Sequence, residues 1–252
     1  MTSLRSVRGG DIYEHIGSTG SVFAVSDRPI LDPENVLECY PAETPGTYWI
    51  GGSFNGAGMA VEHALARLST VREDGIDWHA ALNCVSAWTK ESPRRRPLYL
   101  PYVTGERCPI WNSDVRATWL GLSPEHTAAQ MTLAIYEGVA LLSGWILAEL
   151  RRVGVAGHVA HSAGRVGENE SFARMRATIY DLPVRRLDQP DAALFGAALI
   201  AAVVADEAKS TRAGLDRWAQ MRWVARPDAS CSAAYRDRLA EFRRWCPSGT
   251  PA

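Results

Sequence analysis

The sequence has almost no net charge of either sign, since 27 Lys and Arg residues oppose 28 Asp and Glu residues in a chain of 252. Proteins that bind nucleic acid through its phosphates usually concentrate an excess of basic side chains. The balance therefore argues against a nucleic-acid-binding protein. Apolar residues make up 46% of the chain and charged residues 22%, which excludes disordered and collagen-like classes.

Paired cysteines and long apolar runs are also missing. The five cysteines form no Cys-x-x-Cys pair and leave one over, which favours reduced thiols rather than a secreted disulfide framework. The first ten residues contain no apolar run that would serve as a signal peptide. The longest apolar windows, 139–150 and 192–205, are shorter than the roughly 20 residues that span a bilayer. We expect a cytoplasmic protein without a membrane segment.

Strand and helix signals alternate along the chain, which predicts an α/β layered fold. Strands are predicted over 21–25, 47–50, 158–163 and 184–187, and helices after Gly58 and over 170–180, 191–205 and 233–245. The helix over 191–205 is expected to be buried because it is rich in alanine. The segment 70–96 is expected to be irregular. No linker divides the chain.

The clearest helix signals follow Leu122. Ser123 is a suitable N-cap, Pro124 suits the first helical position, and Gly154 suits a left-handed C-cap. Apolar residues then recur every three or four positions, which predicts one apolar face: Met131, Ile135, Val139, Leu142, Ile146 and Leu150.

Three segments combine a strand with a turn rich in glycine and hydroxyl groups, at 17–20, 51–58 and 164–167. Glycine lets backbone N–H groups approach a phosphate closely, and the N-terminal end of a following helix adds a favourable dipole. An ordinary turn remains the alternative for each segment by itself. None fits the Walker A or the dinucleotide-binding pattern.

Two other kinds of site have weaker support. His158 and His161 lie three residues apart on a predicted strand, so their side chains point to opposite faces, and no cysteine or carboxylate joins them. This argues against a zinc site, and no other metal site is predicted. The segment 51–55 lacks the Gly-x-Ser-x-Gly spacing of a hydrolase nucleophile.

Taken in order, these segments resemble the C-terminal, nucleotide-binding domain of the FGGY carbohydrate kinases, a family that includes xylulokinase and gluconokinase. The stretch 99–122 is similar to the family block YLPYLSGERTPxWDPxARGxFxGL. Residues 162–184 resemble the family's adenosine segment, and 193–199 its closing ALGAA helix. The resemblance implies an actin-like ATPase (ribonuclease H-like) fold, a mixed sheet with flanking helices, in one domain over 1–252.

The resemblance also implies a site for ATP with Mg²⁺. It places a phosphate loop on Gly17–Gly20, a second phosphate contact on Gly58, and the adenosine segment after residue 163. The implied nucleotide-binding residues are Gly17, Ser18, Thr19, Gly20, Gly58, Gly164 and Asn169. No Mg²⁺ ligand is assigned in this chain.

The chain departs from the family pattern in two places. Arg165 and Val166 stand where the adenosine segment has glycines, so that either their side chains occlude the pocket or Arg165 turns outward and pairs with a phosphate. The resemblance starts within the family's C-terminal domain, so we expect the N-terminal sugar-binding domain, with its catalytic aspartate, to be missing here. Asp11 lies too close to Gly17 to replace that aspartate, and no catalytic residue is assigned here.

The resemblance therefore implies the nucleotide-binding half of a kinase that transfers the γ-phosphate of ATP to a hydroxyl group of a sugar or sugar acid. We expect the lone chain to be incomplete, and to need the missing half or to self-associate. The alternative is a non-catalytic half-kinase that acts as a protein-binding or regulatory module.

Overall fold

A seven-stranded mixed sheet forms the centre of the computed structural model, which describes residues 11–42, 45–68, 71–72, 75–89, 91–188 and 191–246. The first ten residues, for which the sequence predicts no signal peptide, lie outside these ranges. The strand order is β11-β10-β9-β1-β2-β4-β3. In chain order the strands are β1 (Asp11–Ile16), β2 (Gly20–Ser26), β3 (Glu38–Pro41), β4 (Tyr48–Phe54), β5 (Val71–Arg72), β6 (Gly75–Ile76), β7 (Leu98–Leu100), β8 (Thr118–Leu120), β9 (Val159–Ala163), β10 (Val184–Leu187) and β11 (Met221–Ala225).

One half of the sheet is antiparallel, and the other half is mixed, since its edge strand β11 pairs antiparallel with β10. Strands β1, β2, β4 and β3 pair antiparallel, whereas β9 joins β1 in parallel and β10 joins β9 in parallel. The four strands predicted from the sequence lie in β2, β4, β9 and β10. The predicted mixed sheet with flanking helices is confirmed.

Seven α-helices are formed by the described residues: α1 (Gly58–Leu65), α2 (Trp78–Val85), α3 (Ala128–Arg152), α4 (Glu170–Tyr180), α5 (Ala192–Val204), α6 (Thr211–Trp218) and α7 (Ala229–Arg244). Helix α3 packs against β2, β4 and β7 and also against α1, α2, α4 and α7. Residues 132–144 are therefore buried all around the helix, rather than on the single apolar face that the spacing predicts.

Helix α3 is long and apolar enough to cross a membrane by length and composition alone. However, 83% of its most apolar window is buried inside the fold, as in the core helix of a globular domain. Its apolar character is explained by the elements that surround it.

The start of α3 differs from the sequence prediction. Thr127 is the N-cap, and Thr127 and Gln130 form a capping box in which each side chain accepts the other residue's backbone N–H. Ser123 and Pro124 lie in the preceding loop, where the Ser123 N–H donates to His126 Nδ1. The reciprocal pair at Thr127 satisfies two N–H groups, whereas a cap at Ser123 lacks the Glu or Gln three residues later. The predicted C-terminal glycine is confirmed, since Gly154 has a φ of +85°.

Two further expectations were wrong. The segment 70–96, expected to be irregular, contains α2, whose first turn is capped by the Asp77 side chain. Helix α5 has the predicted position, but it is mostly exposed rather than buried. Leu194 is 70% exposed and Val204 81%, which is unusual for so apolar a helix.

The glycine-rich stretch after Ile50 also differs from a simple turn. Strand β4 continues through Gly51 and Gly52 to Phe54. A Cβ atom on Gly51 would collide with the Val22 carbonyl of β2, and one on Gly52 with the Cys108 side chain. These two glycines allow close packing, and the turn itself is confined to residues 55–57.

The two possible caps of α3 can be compared directly. We expect Thr127→Ala to lower the free energy of unfolding by about 1 kcal/mol, because it removes the acceptor for the Gln130 N–H. Ser123→Ala should have a smaller effect, since its hydroxyl accepts only a long bond of 3.4 Å from the Glu125 N–H. Urea unfolding of both variants measures the difference. Equal losses would contradict the assignment of Thr127 as the cap.

Candidate functional site

The three glycine-rich segments meet at one cleft of about 710 Å³. The first segment is the turn between β1 and β2, the second leads into α1, and the third follows β9. Because β9, β1, β2 and β4 are successive neighbours in the sheet, these turns lie side by side. The cleft is lined by five of the seven predicted nucleotide-binding residues: Gly17, Ser18, Gly58, Gly164 and Asn169.

The first turn is held against the start of α1 by backbone hydrogen bonds. The Gly58 N–H donates to the Gly17 carbonyl, and the Met59 N–H to the Ser18 carbonyl, both at 2.9 Å. A Cβ atom on Gly58 would collide with the Gly17 carbonyl oxygen. Glycine is therefore required at this position by the close approach of two backbone segments. The first two N–H groups of α1 are already bonded.

The two hydroxyl groups of the turn have different surroundings. The Ser18 side chain is exposed and lines the cleft. Thr19 is also exposed, but neither it nor the buried Gly20 lines the cleft. The sequence pattern does not separate Ser18 from Thr19, whereas the geometry makes Ser18 the available hydroxyl donor.

The third segment rests on the same end of β1. Gly164 has a φ of +90°, and a Cβ atom there would collide with the Ile16 carbonyl oxygen. A 3-10 turn follows at Val166–Glu168. Asn169 then caps α4, since its side chain accepts the Phe172 N–H at 2.9 Å. Gly164 and Asn169 thus have structural roles in addition to lining the cleft.

A buried arginine on α4 supports this segment from below. Arg176 donates to the Gly167 carbonyl at 2.9 Å and to Ser162 Oγ at 2.8 Å, and it pairs with the buried carboxylate of Glu14 on β1. The Tyr180 hydroxyl donates to the same carboxylate. The third segment is therefore tied to β1 through side chains that the sequence analysis missed. The sequence signal was weak, since Glu14 lies in a strand that also contains Asp11 and His15.

The two residues that replace family glycines have opposite environments. The Val166 side chain packs on the core, and one of its methyl groups lies 2.9 Å from the position of a Cβ on Gly58. It thereby covers the junction between the second and third segments. Arg165 is exposed at the rim, and its side chain has no hydrogen-bond partner within the described part of the chain.

One wall of the cleft carries apolar side chains from three helices. Met59 of α1, Trp78 and Leu82 of α2, and Tyr136 of α3 lie along it. Trp78 is 42% exposed, so part of its ring faces open space. A cleft with an apolar wall beside a turn that offers a hydroxyl group fits the base and the phosphates of a nucleotide.

A buried carboxyl group holds the loop between β4 and α1. Glu106 accepts the backbone N–H groups of Asn55 at 2.6 Å and of Gly56 at 2.9 Å. Burial raises the pKa of Glu106 from an ordinary 4.5 to about 7, although these N–H groups and that of Arg107 act in the opposite direction. Glu106 thus holds the segment that delivers Gly58 to the cleft, together with the Asn55 side chain, which accepts from Arg107 Nε at 3.0 Å.

The other candidate sites find no support. His161 lies 3.2 Å from Asp11 and stacks on Tyr13, His158 precedes β9, and the described residues contain no group of three potential metal ligands. Ser53 is part of β4 and is not at a strand-to-helix turn. Asp11 begins β1, and its carboxylate lies 3.2 Å from His161 Nε2.

The fold and the cleft together define a class of protein. Four antiparallel strands, a long central helix and two parallel strands with their helices, with a cleft over the hairpin turn, form an actin-like ATPase fold. A family model for the C-terminal domain of the FGGY family of carbohydrate kinases matches residues 13–205. The chain therefore belongs to the FGGY family of carbohydrate kinases, and it corresponds to their C-terminal domain.

Individual relatives support the same assignment. The chain is 34% identical over 146 residues to a gluconokinase of Bacillus subtilis (strain 168), which covers 54% of this chain and 27% of that protein. It is 24% identical over 187 residues to a xylulose kinase of Staphylococcus epidermidis (strain RP62A), covering 74% of this chain and 36% of that protein. The structure of a gluconate kinase from Lactobacillus acidophilus has a similar fold, with a TM-score of 0.83 and 21% identity over 96% of this chain and 48% of that one. The chain thus spans less than half the length of these relatives.

The raised pKa of Glu106 predicts a specific pH dependence of stability. A carboxyl group with a higher pKa in the folded chain contributes stability that is complete below pH 4.5 and is lost as pH rises through about 7. Between pH 4.5 and 8, the free energy of unfolding of the native chain should fall relative to Glu106→Gln, by at most about 3 kcal/mol. Urea unfolding of both proteins across this range measures the effect. Subtracting the free energy of unfolding of the variant removes the contribution of other titrating groups. Parallel pH profiles would contradict it.

Proposed function

We propose that this chain is the nucleotide-binding half of a carbohydrate kinase, which transfers the γ-phosphate of ATP to a hydroxyl group of a sugar or sugar acid. The observation that carries the proposal is the convergence of Gly17, Ser18, Gly58, Gly164 and Asn169 at one cleft. These residues come from three segments up to about 150 positions apart in the sequence. A set of unrelated surface turns would have no reason to meet.

The cleft suggests how ATP would lie. The base would pack against the apolar wall of Met59, Trp78 and Leu82, and the phosphates would point to the Ser18 hydroxyl and the rim at Arg165. Phosphoryl transfer depends mainly on positioning and on electrostatic stabilisation of the phosphates. Mg²⁺ would enter with the nucleotide, bound largely by phosphate oxygens and water, as is usual for this ion.

The sugar and the base that deprotonates its hydroxyl group are assigned to a second, sugar-binding half. That half would be part of a longer polypeptide or a separate chain. The names of the relatives, gluconokinase and xylulose kinase, make gluconate and xylulose the first substrates to test. Reduced thiols and the use of ATP suit a cytoplasmic location, and all five cysteines are free in the structure.

Helix α5 is the surface to which this second half would dock. Leu194, Ile200 and Val204 are exposed on a helix that begins at the cleft, where Asp191, Ala192 and Ala193 are lining residues. A large exposed apolar surface usually marks a contact with another protein. In the lone chain, the same surface would favour self-association.

A non-catalytic role has one observation in its favour. The Gly58 N–H is bonded to Gly17, and Val166 covers the junction beside it, so one expected phosphate contact is engaged within the protein. A half-kinase without nucleotide affinity would then act through its α5 surface alone. ATP binding separates this alternative from the kinase function.

Calorimetric titration of the chain with ATP and Mg²⁺ tests the proposal. We expect binding in the micromolar range, weakened a few-fold by Ser18→Ala, because that variant removes one neutral hydrogen bond to a phosphate. Thr19→Ala is the matched control, since Thr19 is the neighbouring exposed hydroxyl that does not line the cleft. Absence of ATP binding would favour the non-catalytic alternative. Equal effects of both variants would contradict the orientation proposed for the phosphates.

The role of α5 is tested by the oligomeric state. We expect the lone chain to self-associate in sedimentation experiments, and the double variant Leu194→Glu/Val204→Glu to be monomeric, because charges on the exposed face oppose apolar contact. Leu31→Glu is the control, because Leu31 is 84% exposed but lies outside α5. A wild-type chain that stays monomeric at high concentration would contradict the prediction.

A further inference from the structure

The cleft has few positive charges for a site that accepts phosphates. Among the described residues that line it, the acidic side chains are Glu62, Glu168 and Asp191, and the basic ones are His15 and Arg165. Desolvation lowers the pKa of His15 below its ordinary value of 6.5, which disfavours a charged imidazole. A guanidinium group remains charged at any physiological pH. Arg165 is therefore the permanent cation of the described cleft wall.

Two of the acidic side chains are engaged elsewhere. Glu168 pairs with Arg186 at 2.6 Å, and Asp191 accepts the N–H groups of Ala193 and Leu194 at the start of α5. Their charges are thus partly compensated by the protein itself. Arg165, in contrast, has no partner within the described residues, and its head group is exposed.

The backbone at Arg165 is fixed although its side chain is free. Gly164 on one side is held against Ile16 by its close approach, and the Gly167 carbonyl on the other side accepts from Arg176. Val166 packs on the core next to Gly58. The side chain of Arg165 therefore starts from a rigid backbone at the cleft lining, which limits the conformational freedom that binding removes.

The start of α1 offers less to a phosphate than a helix N-terminus usually does. Its first two N–H groups, of Gly58 and Met59, are bonded to the carbonyl groups of Gly17 and Ser18. An anion at this point would have to replace these bonds. The nearby charged donor that needs no such exchange is Arg165, which lines the same cleft as the neutral Ser18 hydroxyl.

We propose that Arg165 binds the phosphate groups of the nucleotide, and that it supplies the positive charge which the engaged N–H groups of α1 do not. The inference rests on the proposed nucleotide function of this cleft. Arg165 acts as a side-chain clamp: the planar guanidinium donates two parallel N–H groups to phosphate oxygens. The substitution of arginine for a family glycine at position 165 thus favours phosphate binding and does not block the cleft.

The test compares ATP with adenosine, which lacks phosphates. Calorimetric titration of Arg165→Gln should show ATP binding at least about tenfold weaker than in the native chain, because one charge-assisted contact is lost. The affinity for adenosine should be unchanged. The ATP affinity of Arg165→Lys should lie between those of the native chain and Arg165→Gln, since lysine keeps the charge but loses the paired N–H groups of the guanidinium. Arg28→Gln is the matched control, an exposed arginine outside the cleft lining whose removal changes the net charge equally.

The outcomes separate this inference from the proposed function. If the native chain binds neither ATP nor adenosine, both fail. If the native chain binds ATP and Arg165→Gln binds it equally well, only the role of Arg165 fails. Equal weakening of ATP and adenosine would mean that Arg165 shapes the pocket without touching phosphate. Tighter ATP binding by Arg165→Gly would establish occlusion and overturn the proposal.

Discussion

Two successive carbonyl groups at the end of β1, those of Ile16 and Gly17, contact the second and third glycine-rich segments of the cleft. Gly164 approaches the first and Gly58 the second so closely that neither position has space for a Cβ atom. The third and second glycine-rich segments therefore converge on one point of the central sheet. Because this contact is between backbones, it fixes the spacing of the cleft walls independently of the side chains that line them. The positions of Ser18, Arg165 and Val166 all follow from it.

Short-range signals were sufficient for much of the fold. The bounds of α4 and β10 agree with the sequence prediction because a local cap, Asn169, and a local breaker, Pro183, set them. The start of α3 was wrong because two capping sequences lie four residues apart, and only the one at Thr127 satisfies both N–H groups. The exposure of α5 was not predictable, since an apolar helix has the same sequence pattern whether other parts of the chain cover it or not.

The site was predictable where glycine marks it and not where paired side chains support it. Gly17, Gly58 and Gly164 stand out in the sequence because their spacing resembles a family pattern. Glu14 and Arg176 are separated by 162 positions, so nothing local indicates that they meet under the third segment. Burying such a pair is costly unless each charge has further partners, which Ser162, Gly167 and Tyr180 provide. The departures Arg165 and Val166 were visible as substitutions, but the sequence left open which way each side chain points.

The exposed face of α5 affects the expected abundance of this protein in a cell. Chaperones and proteases continuously recognise apolar surface on incompletely assembled proteins. If a second kinase half covers Leu194 and Val204, then a chain without that partner exposes an apolar surface that proteases recognise, and the assembled pair does not. The abundance of the chain would follow the supply of its counterpart, and stoichiometric balance would arise without a dedicated regulator.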